Sequence, residues 1–291
     1  MEWDKIKLCI PSYKRADTIQ TKTLAVLSSY SIPPSMIHIF VANEEEKRVY
    51  LEKVPKSLYG SLHVGVKGLA EVRNFIFDAF PVGTPIVEFD DDIQGFLEYS
   101  ARARRNEKRL GDLKEVILKG FAECKRIGCR FWGVYPVPNG FFMKPGTTRD
   151  LRFCVGSCWG CFNPGSSGSS GVRIAYSEKE DYQRTLQFFL EDGAVVRFSN
   201  VAPKTAYYKE AGGLQEQGDR VEKQEAAVNW MLEKWPSWIR RNPARKSGFP
   251  EIRLVDPRSK EEKEEGTGLS AKRGSAKKRG TRRKRRVTEH T

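Results

Sequence analysis

The ordering of apolar segments over the first ninety residues constrains this chain more than any other feature. Short apolar runs at 6–10, 36–42, 62–66 and 85–89 alternate with stretches of helical spacing, the pattern of a parallel sheet with crossover helices. In the first crossover Asp17 and Thr18 stand at the capping positions, Ile19, Leu24, Val26 and Leu27 supply the apolar stripe, and Pro33 and Pro34 end it. A second helix follows Gly68 through Val72, Phe75, Ile76 and Phe80. The expected fold class is α/β: one domain over residues 1–255 with a mostly parallel central sheet and flanking helices, then a disordered basic tail over 256–291.

Past the fourth strand the order loosens. Residues 113–127 have helical spacing, 130–135 reads as a strand, and 151–162 as an apolar, glycine-punctuated strand pair or strand-loop-strand. Helices are expected over 176–190 and 221–235, with strands at 194–198 and near 206–208, and polar chain after Pro236. Residues 165–171 have the composition of a flexible linker and read as a replacement for a longer loop, a natural Gly/Ser loop being the alternative.

No stretch approaches the ~18 to 20 consecutive apolar residues of a membrane span, and the charged N-terminus does not resemble an export signal. A soluble, intracellular, monomeric protein is expected, its six cysteines reduced. Residues 271–291 carry ten Lys or Arg and one Glu, a net charge of +9, so that 1–270 hold only +5 of the chain's +14. A basic tail on a nearly balanced body suits DNA or another polyanion, or serves localisation.

The chemistry-bearing residues gather at strand ends. Asp90, Asp91 and Asp92 follow the fourth strand, where open α/β sheets place their ligands. Their oxygens suit Mg²⁺ or Mn²⁺ bridging two phosphates, with a solvated acidic turn as the plainer reading. Pro11, Ser12, Tyr13, Lys14 and Arg15 end the first strand and Asn43 and Glu44 the second, so Tyr13 is placed to stack on a base and Arg15 to meet phosphate. Gly68 with Arg73 and Asn74 presents a helix start and a guanidinium for phosphate or ribose, or an exposed surface arginine. Glu180 and Asp181 open a helix, either as a general base or as complement to its dipole. Cys154, Cys158 and Cys161 carry the C-x₃-C-x₂-C interval of an iron–sulfur site, but Gly160 and Trp159 depart from that pattern and buried thiols fit better. His38, His63 and His290 are too scattered for a zinc site.

In combination, residues 11–15, 68–74, 90–92 and 180–181 resemble glycosyltransferases of the GT-A fold. Residues 180–193, with 195–198 and 205–213, are similar to the TET/JBP-associated branch, which includes the base J glucosyltransferase and phage enzymes acting on hydroxymethylated pyrimidines. The resemblance spans residues 5–240. It implies a metal and donor site at Asp90 and Asp92, shared by Asp91, and Asp181 as base of an inverting displacement with Glu180 beside it. Pro11, Ser12, Tyr13, Arg15, Glu44, Gly68 and Arg73 complete the expected donor site, and Trp159 and Arg173 the acceptor side. Many GT-A enzymes add a late histidine to the metal, whereas the folded part after Asp181 has none. The implied activity is metal-dependent transfer of a hexose from a UDP-sugar to a hydroxymethylpyrimidine in DNA, with Mn²⁺ or Mg²⁺ as cofactor. Transfer to protein or glycan, and a non-catalytic nucleic-acid module, stay open.

Overall fold

The computed structural model describes residues 1–165, 171–205, 220–243 and 248–258. The chain divides into two units, Met1–Val255 and Asp256–Thr291; the fold below is that of the first. The strand expected near 206–208, most of the Gly/Ser segment and the basic tail lie outside the described residues.

Four parallel strands form the half of the sheet that the sequence laid out: β1 (Lys7–Pro11), β2 (Ile37–Val41), β3 (Ser61–Val64) and β4 (Pro85–Phe89). They join β7 (Phe131–Val134), β8 (Thr147–Thr148), β9 (Cys158–Phe162) and β10 (Val196–Phe198) in the order β3-β2-β1-β4-β9-β7-β10-β8. β8 and β9 run against the other six. A second sheet, β11-β5-β6, combines β5 (Ile93–Tyr99), β6 (Glu107–Arg109) and β11 (Val201–Thr205). Strands β12 (Ile239–Arg241) and β13 (Ile252–Leu254) pair as a hairpin where only polar chain was expected.

The central strands read as unbroken apolar runs because both faces are covered. On one face Leu8, Ile10, Ile39, Val87 and Phe89 pack under the first helical crossover and α5 (Leu113–Ile127). On the other, Cys9, Phe40, Ile86, Phe131 and Cys161 meet α4 (Leu69–Asp78), α6 (Glu180–Asp192) and α7 (Arg220–Lys234). That first crossover is α1 (Ala16–Ile19), a single π-helical stretch Gln20–Leu24, and α2 (Ala25–Ser29). Arg15, not Asp17 or Thr18, sits at its N-cap, and Asp17 instead pairs with Lys53 at 2.9 Å from α3 (Glu44–Lys53). Asn43 caps α3 by accepting from Glu46 N at 2.9 Å, and Asp112 caps α5 through Glu115 N at 3.0 Å.

Two further expectations are revised. Only 158–162 of the strand pair or strand-loop-strand expected at 151–162 forms a strand. The helix expected from 176 begins at Glu180, and the backbone of 173–175 before it is bonded to amide side chains instead of to a helical ladder. Asn74 brackets Ile174, accepting from its N at 3.0 Å and donating to its O at 2.9 Å. From α6, Gln183 accepts from Ala175 N at 2.9 Å and Gln187 from Arg173 N at 2.6 Å.

Candidate active site

The parallel register places the ends of β1, β2 and β4 side by side, and the acidic triplet occupies the bend between β4 and β5. Its members have three different surroundings. Asp91 is 5% exposed and has both oxygens engaged, Oδ2 accepting from Ser12 Oγ at 2.6 Å and Oδ1 from Arg15 at 2.9 Å. Tyr50 extends this chain: its hydroxyl lies 2.7 Å from Ser12 Oγ and accepts from Arg15 N at 3.1 Å. Asp91 therefore shapes the loop after β1, with each oxygen already accepting one bond from the protein.

Asp90 and Asp92 remain only partly buried. Asp90 accepts from Arg73 at 2.9 Å, while its backbone is fixed by N–H donation to Ser157 O at 3.1 Å. Burial pushes the Asp92 carboxyl up to about 7, and the adjacent charges of Asp90 and Asp91 act in the same direction. Two hard oxygen donors whose charges repel each other fit a divalent cation, which would relieve the repulsion. Among the described residues no group of three or more His, Cys, Asp or Glu side chains is placed to hold a metal, so water and phosphate oxygens would complete the shell.

Beneath the triplet lies a buried ionic network. Arg73, expected at the surface of α4, is 1% exposed. It donates to Glu88 at 2.7 Å, to Asp90 and to Gly156 O at 3.2 Å, and lies 3.2 Å from Glu180. Burial opposes its charge, but Glu180, Glu88 and Asp90 outweigh that and raise its pKa. Arg73 is thus committed to protein carboxylates and presents no guanidinium to a phosphate. Glu180 is also paired with Arg184, whose guanidinium lies 4.0 Å from the Trp159 ring centre. Trp159, expected on the acceptor side, is wholly enclosed by this network and by Phe77 and Phe131, so its ring has no face left for an acceptor.

Gly156 joins the two halves. A Cβ there would fall 2.4 Å from Glu180 Oε1 and 3.6 Å from an Arg73 nitrogen, so only glycine admits the close approach. Asp181, next along, leaves the network: its Oδ1 accepts from Tyr182 N at 3.0 Å at the start of α6. Burial raises its carboxyl to about 7, with Glu180's charge adding.

The remaining expected residues are distributed around this edge. The Tyr13 ring has Lys14 and Lys67 nitrogens 5.4 and 5.5 Å from its centre. Pro11 ends β1, exposed Glu44 opens α3, and Gly68 precedes α4 with φ of +112°. Arg173 lies 3.5 Å from Asp78, away from the triplet's hydrogen bonds. Sequence reading missed Tyr50, Glu88, Gly156 and Arg184; only Glu88, an acid inside an apolar run, carried a visible signal. It also treated His38 and His63 as separate, whereas the β2–β3 register brings their ring nitrogens to 3.0 Å. All six cysteines are buried free thiols. No described helix is long and apolar enough to cross a membrane.

No protein-family model matches the sequence, and no curated protein matches it. Among solved structures, the chain is similar to a mannosyltransferase from Pyrobaculum calidifontis in complex with GDP-mannose and Mn²⁺, with 11% identity over 84% of this chain and 66% of that one and a TM-score of 0.49. It is also similar to TarS of S. aureus, with 12% identity, 78% and 39% coverage and a TM-score of 0.47. A third similar structure is glucosyl-3-phosphoglycerate synthase from Mycobacterium tuberculosis with Mn²⁺, UDP and glucosyl-3-phosphoglycerate, with 9% identity, 86% coverage of each chain and a TM-score of 0.41. The chain spans about two thirds of the first protein and well under half of the second.

Proposed function

We propose that this chain is an inverting glycosyltransferase that moves a hexose from a nucleotide-sugar to an acceptor hydroxyl. The finer reading, carried by the resemblance and the basic tail, is glucose from UDP-glucose to the hydroxymethyl group of 5-hydroxymethyluracil or 5-hydroxymethylcytosine in DNA. One observation supports the reaction class above others. A carboxylate pair at the β4–β5 bend and a separate carboxylate, Asp181, at a helix start share one sheet edge through Arg73, Glu180 and Gly156.

In this reading Tyr13 stacks on the nucleobase, and Ser12 and Arg15, fixed by Asp91, line the nucleotide pocket. Asp90 and Asp92 would hold Mn²⁺ or Mg²⁺, which would supply positive charge to offset the negative charge of the departing diphosphate. Asp181 receives the acceptor hydroxyl's proton as the oxygen bonds to the anomeric carbon and the bond to the diphosphate breaks, inverting the configuration. Glu180, paired to Arg73 and Arg184, anchors the helix turn that presents Asp181.

The test is incubation with UDP-glucose, Mn²⁺ and DNA containing either hydroxymethylpyrimidine, followed by digestion and nucleoside mass analysis. A hexose increment on one base is the expected result. UDP release with no nucleoside gain would retain donor chemistry and remove the DNA acceptor.

A further inference from the structure

Outside the candidate site, the turn joining β5 to β6 carries an unusual concentration of charge. Five of the eight residues 102–109 are cations: Arg102, Arg104, Arg105, Lys108 and Arg109, all exposed. Glu98 faces Lys108 at 3.0 Å and Glu107 stands 3.9 Å from Arg105, so the turn keeps a net positive charge. Three backbone bonds make it rigid: Ala103 N to Ser100 O, Asn106 N to Ala103 O and Ser100 N to Asn106 O, at 3.0, 2.9 and 2.9 Å.

Against this turn sits a second one bearing two exposed aromatic rings. Phe141 is 80% and Phe142 51% exposed, their rings edge to face at 5.1 Å. Asn139 ties the turn, accepting through its side chain from Phe141 N at 3.0 Å and through its backbone from Phe142 N at 3.0 Å. The two turns are clamped together. Gly140 N donates to Glu107 Oε2 at 2.6 Å, and a Cβ on Gly140 would lie 2.3 Å from Arg105 O. Burying neither phenylalanine is costly to a solitary protein, and exposed arginines on a rigid turn, beside a turn with exposed aromatic rings, match one ligand chemistry: phosphodiester oxygens with bases available for stacking.

We propose that the 102–109 and 139–142 turns form a nucleic-acid-binding surface, the arginines on the phosphates and Phe141 and Phe142 against bases. It deepens the nucleic-acid acceptor reading and rests on it for its purpose. β5 runs directly from the acidic bend to this surface, and its seven residues span about 23 Å, so a strand bound at the turns would lie within several nucleotides of the acidic bend.

The experiment uses the full chain. Binding of a short fluorescent DNA duplex is measured over a salt series for the wild type, for the triple variant R102Q/R104Q/R105Q and for R102K/R104K/R105K. The Gln variant is expected to lose at least tenfold in affinity and to flatten the log–log salt slope by about 2 to 3, near 0.9 per lost phosphate contact; the Lys variant keeps the slope. In parallel, photocrosslinking to single-stranded DNA containing 5-iodouracil is mapped by peptide mass, and adducts within residues 139–142 are expected. An unchanged slope in the Gln variant, or adducts confined to 271–291, would overturn the surface. Equal loss of affinity for poly-glutamate would assign it to acidic polymers at large and overturn the nucleic-acid assignment. Metal-dependent UDP release from UDP-glucose should be the same in all three proteins. Hexose on a nucleoside with unaltered binding in the variants sinks the surface alone, whereas turn-dependent binding with no nucleoside gain sinks the acceptor reading alone.

Discussion

Glu180 and Asp181 are adjacent in sequence, yet different forces hold them. Glu180 faces inward to Arg73 and Arg184, two cations that fix its position. Asp181 accepts from the Tyr182 N–H and makes no ion pair of that kind among the described residues, and burial, with Glu180's charge adding, lifts its carboxyl to about 7 against the opposing charges of Arg184 and Lys179. A base needs a high proton affinity while still ionised at working pH, and Asp181 fits that need. Its raised folded-state pKa also costs stability: the native protein holds the proton between about pH 4 and 7 while the unfolded chain has lost it, so stability falls across that window as pH rises. Asp181→Asn removes the penalty. Transfer should drop at least about a hundredfold, with UDP-glucose affinity retained by calorimetry and the melting temperature raised at pH 8 but not at pH 4. In the wild type, transfer should climb with pH through about 7. Full turnover in the Asn variant, or a melting temperature unmoved at pH 8, would count against this assignment.

At the scale of elements, the first crossover helix is widened by one π-helical stretch, and the Thr23 side chain there bridges the two ends of the acidic bend. Its hydroxyl donates to Asp90 O at 2.7 Å and accepts from Ile93 N at 3.0 Å. π-turns concentrate at functional sites, and this one sets the direction in which the triplet leaves β4. Thr23→Val keeps the shape and removes both bonds, so Mn²⁺ should be needed at roughly tenfold higher concentration for donor turnover. Thr23→Ser should restore it, and equal behaviour of the Val and Ser variants would reduce Thr23 to packing. The strand ends and the triplet were legible in sequence because two-face burial gives continuous apolar runs broken by polar chemistry. The second sheet was not. β5 pairs with β11 a hundred residues on, through an edge strand containing Pro203 and a register shift at Lys204 and Thr205, none of which leaves a local period. The enclosure of Trp159 was equally hidden: β9 lies between β4 and β7 with both faces covered, and no alternation marks which side a ring takes.

For the whole molecule, charge and fold are separable. The folded unit closes at its own C-terminal end. Strand β13 pairs with β12 and Val255 N donates to Trp238 O at 2.8 Å, while Ile239 and Ile252 fill the core beside α7. Every group assigned to donor chemistry lies before residue 185, whereas +9 of the chain's +14 lies in 271–291. A chain ending at Val255 should therefore keep its melting temperature and its Mn²⁺-dependent UDP release. Its DNA affinity should fall, with a salt slope reduced by the phosphate contacts the tail supplied, up to about 0.9 for each of ten cations. The slope that persists in the truncated chain belongs to the body, and the 102–109 substitutions should remove most of it. A truncated chain that binds DNA with the full slope would place the polyanion contacts in the folded unit and leave the tail without a part in acceptor capture. One that melts lower would show that the fold draws stability from beyond Val255.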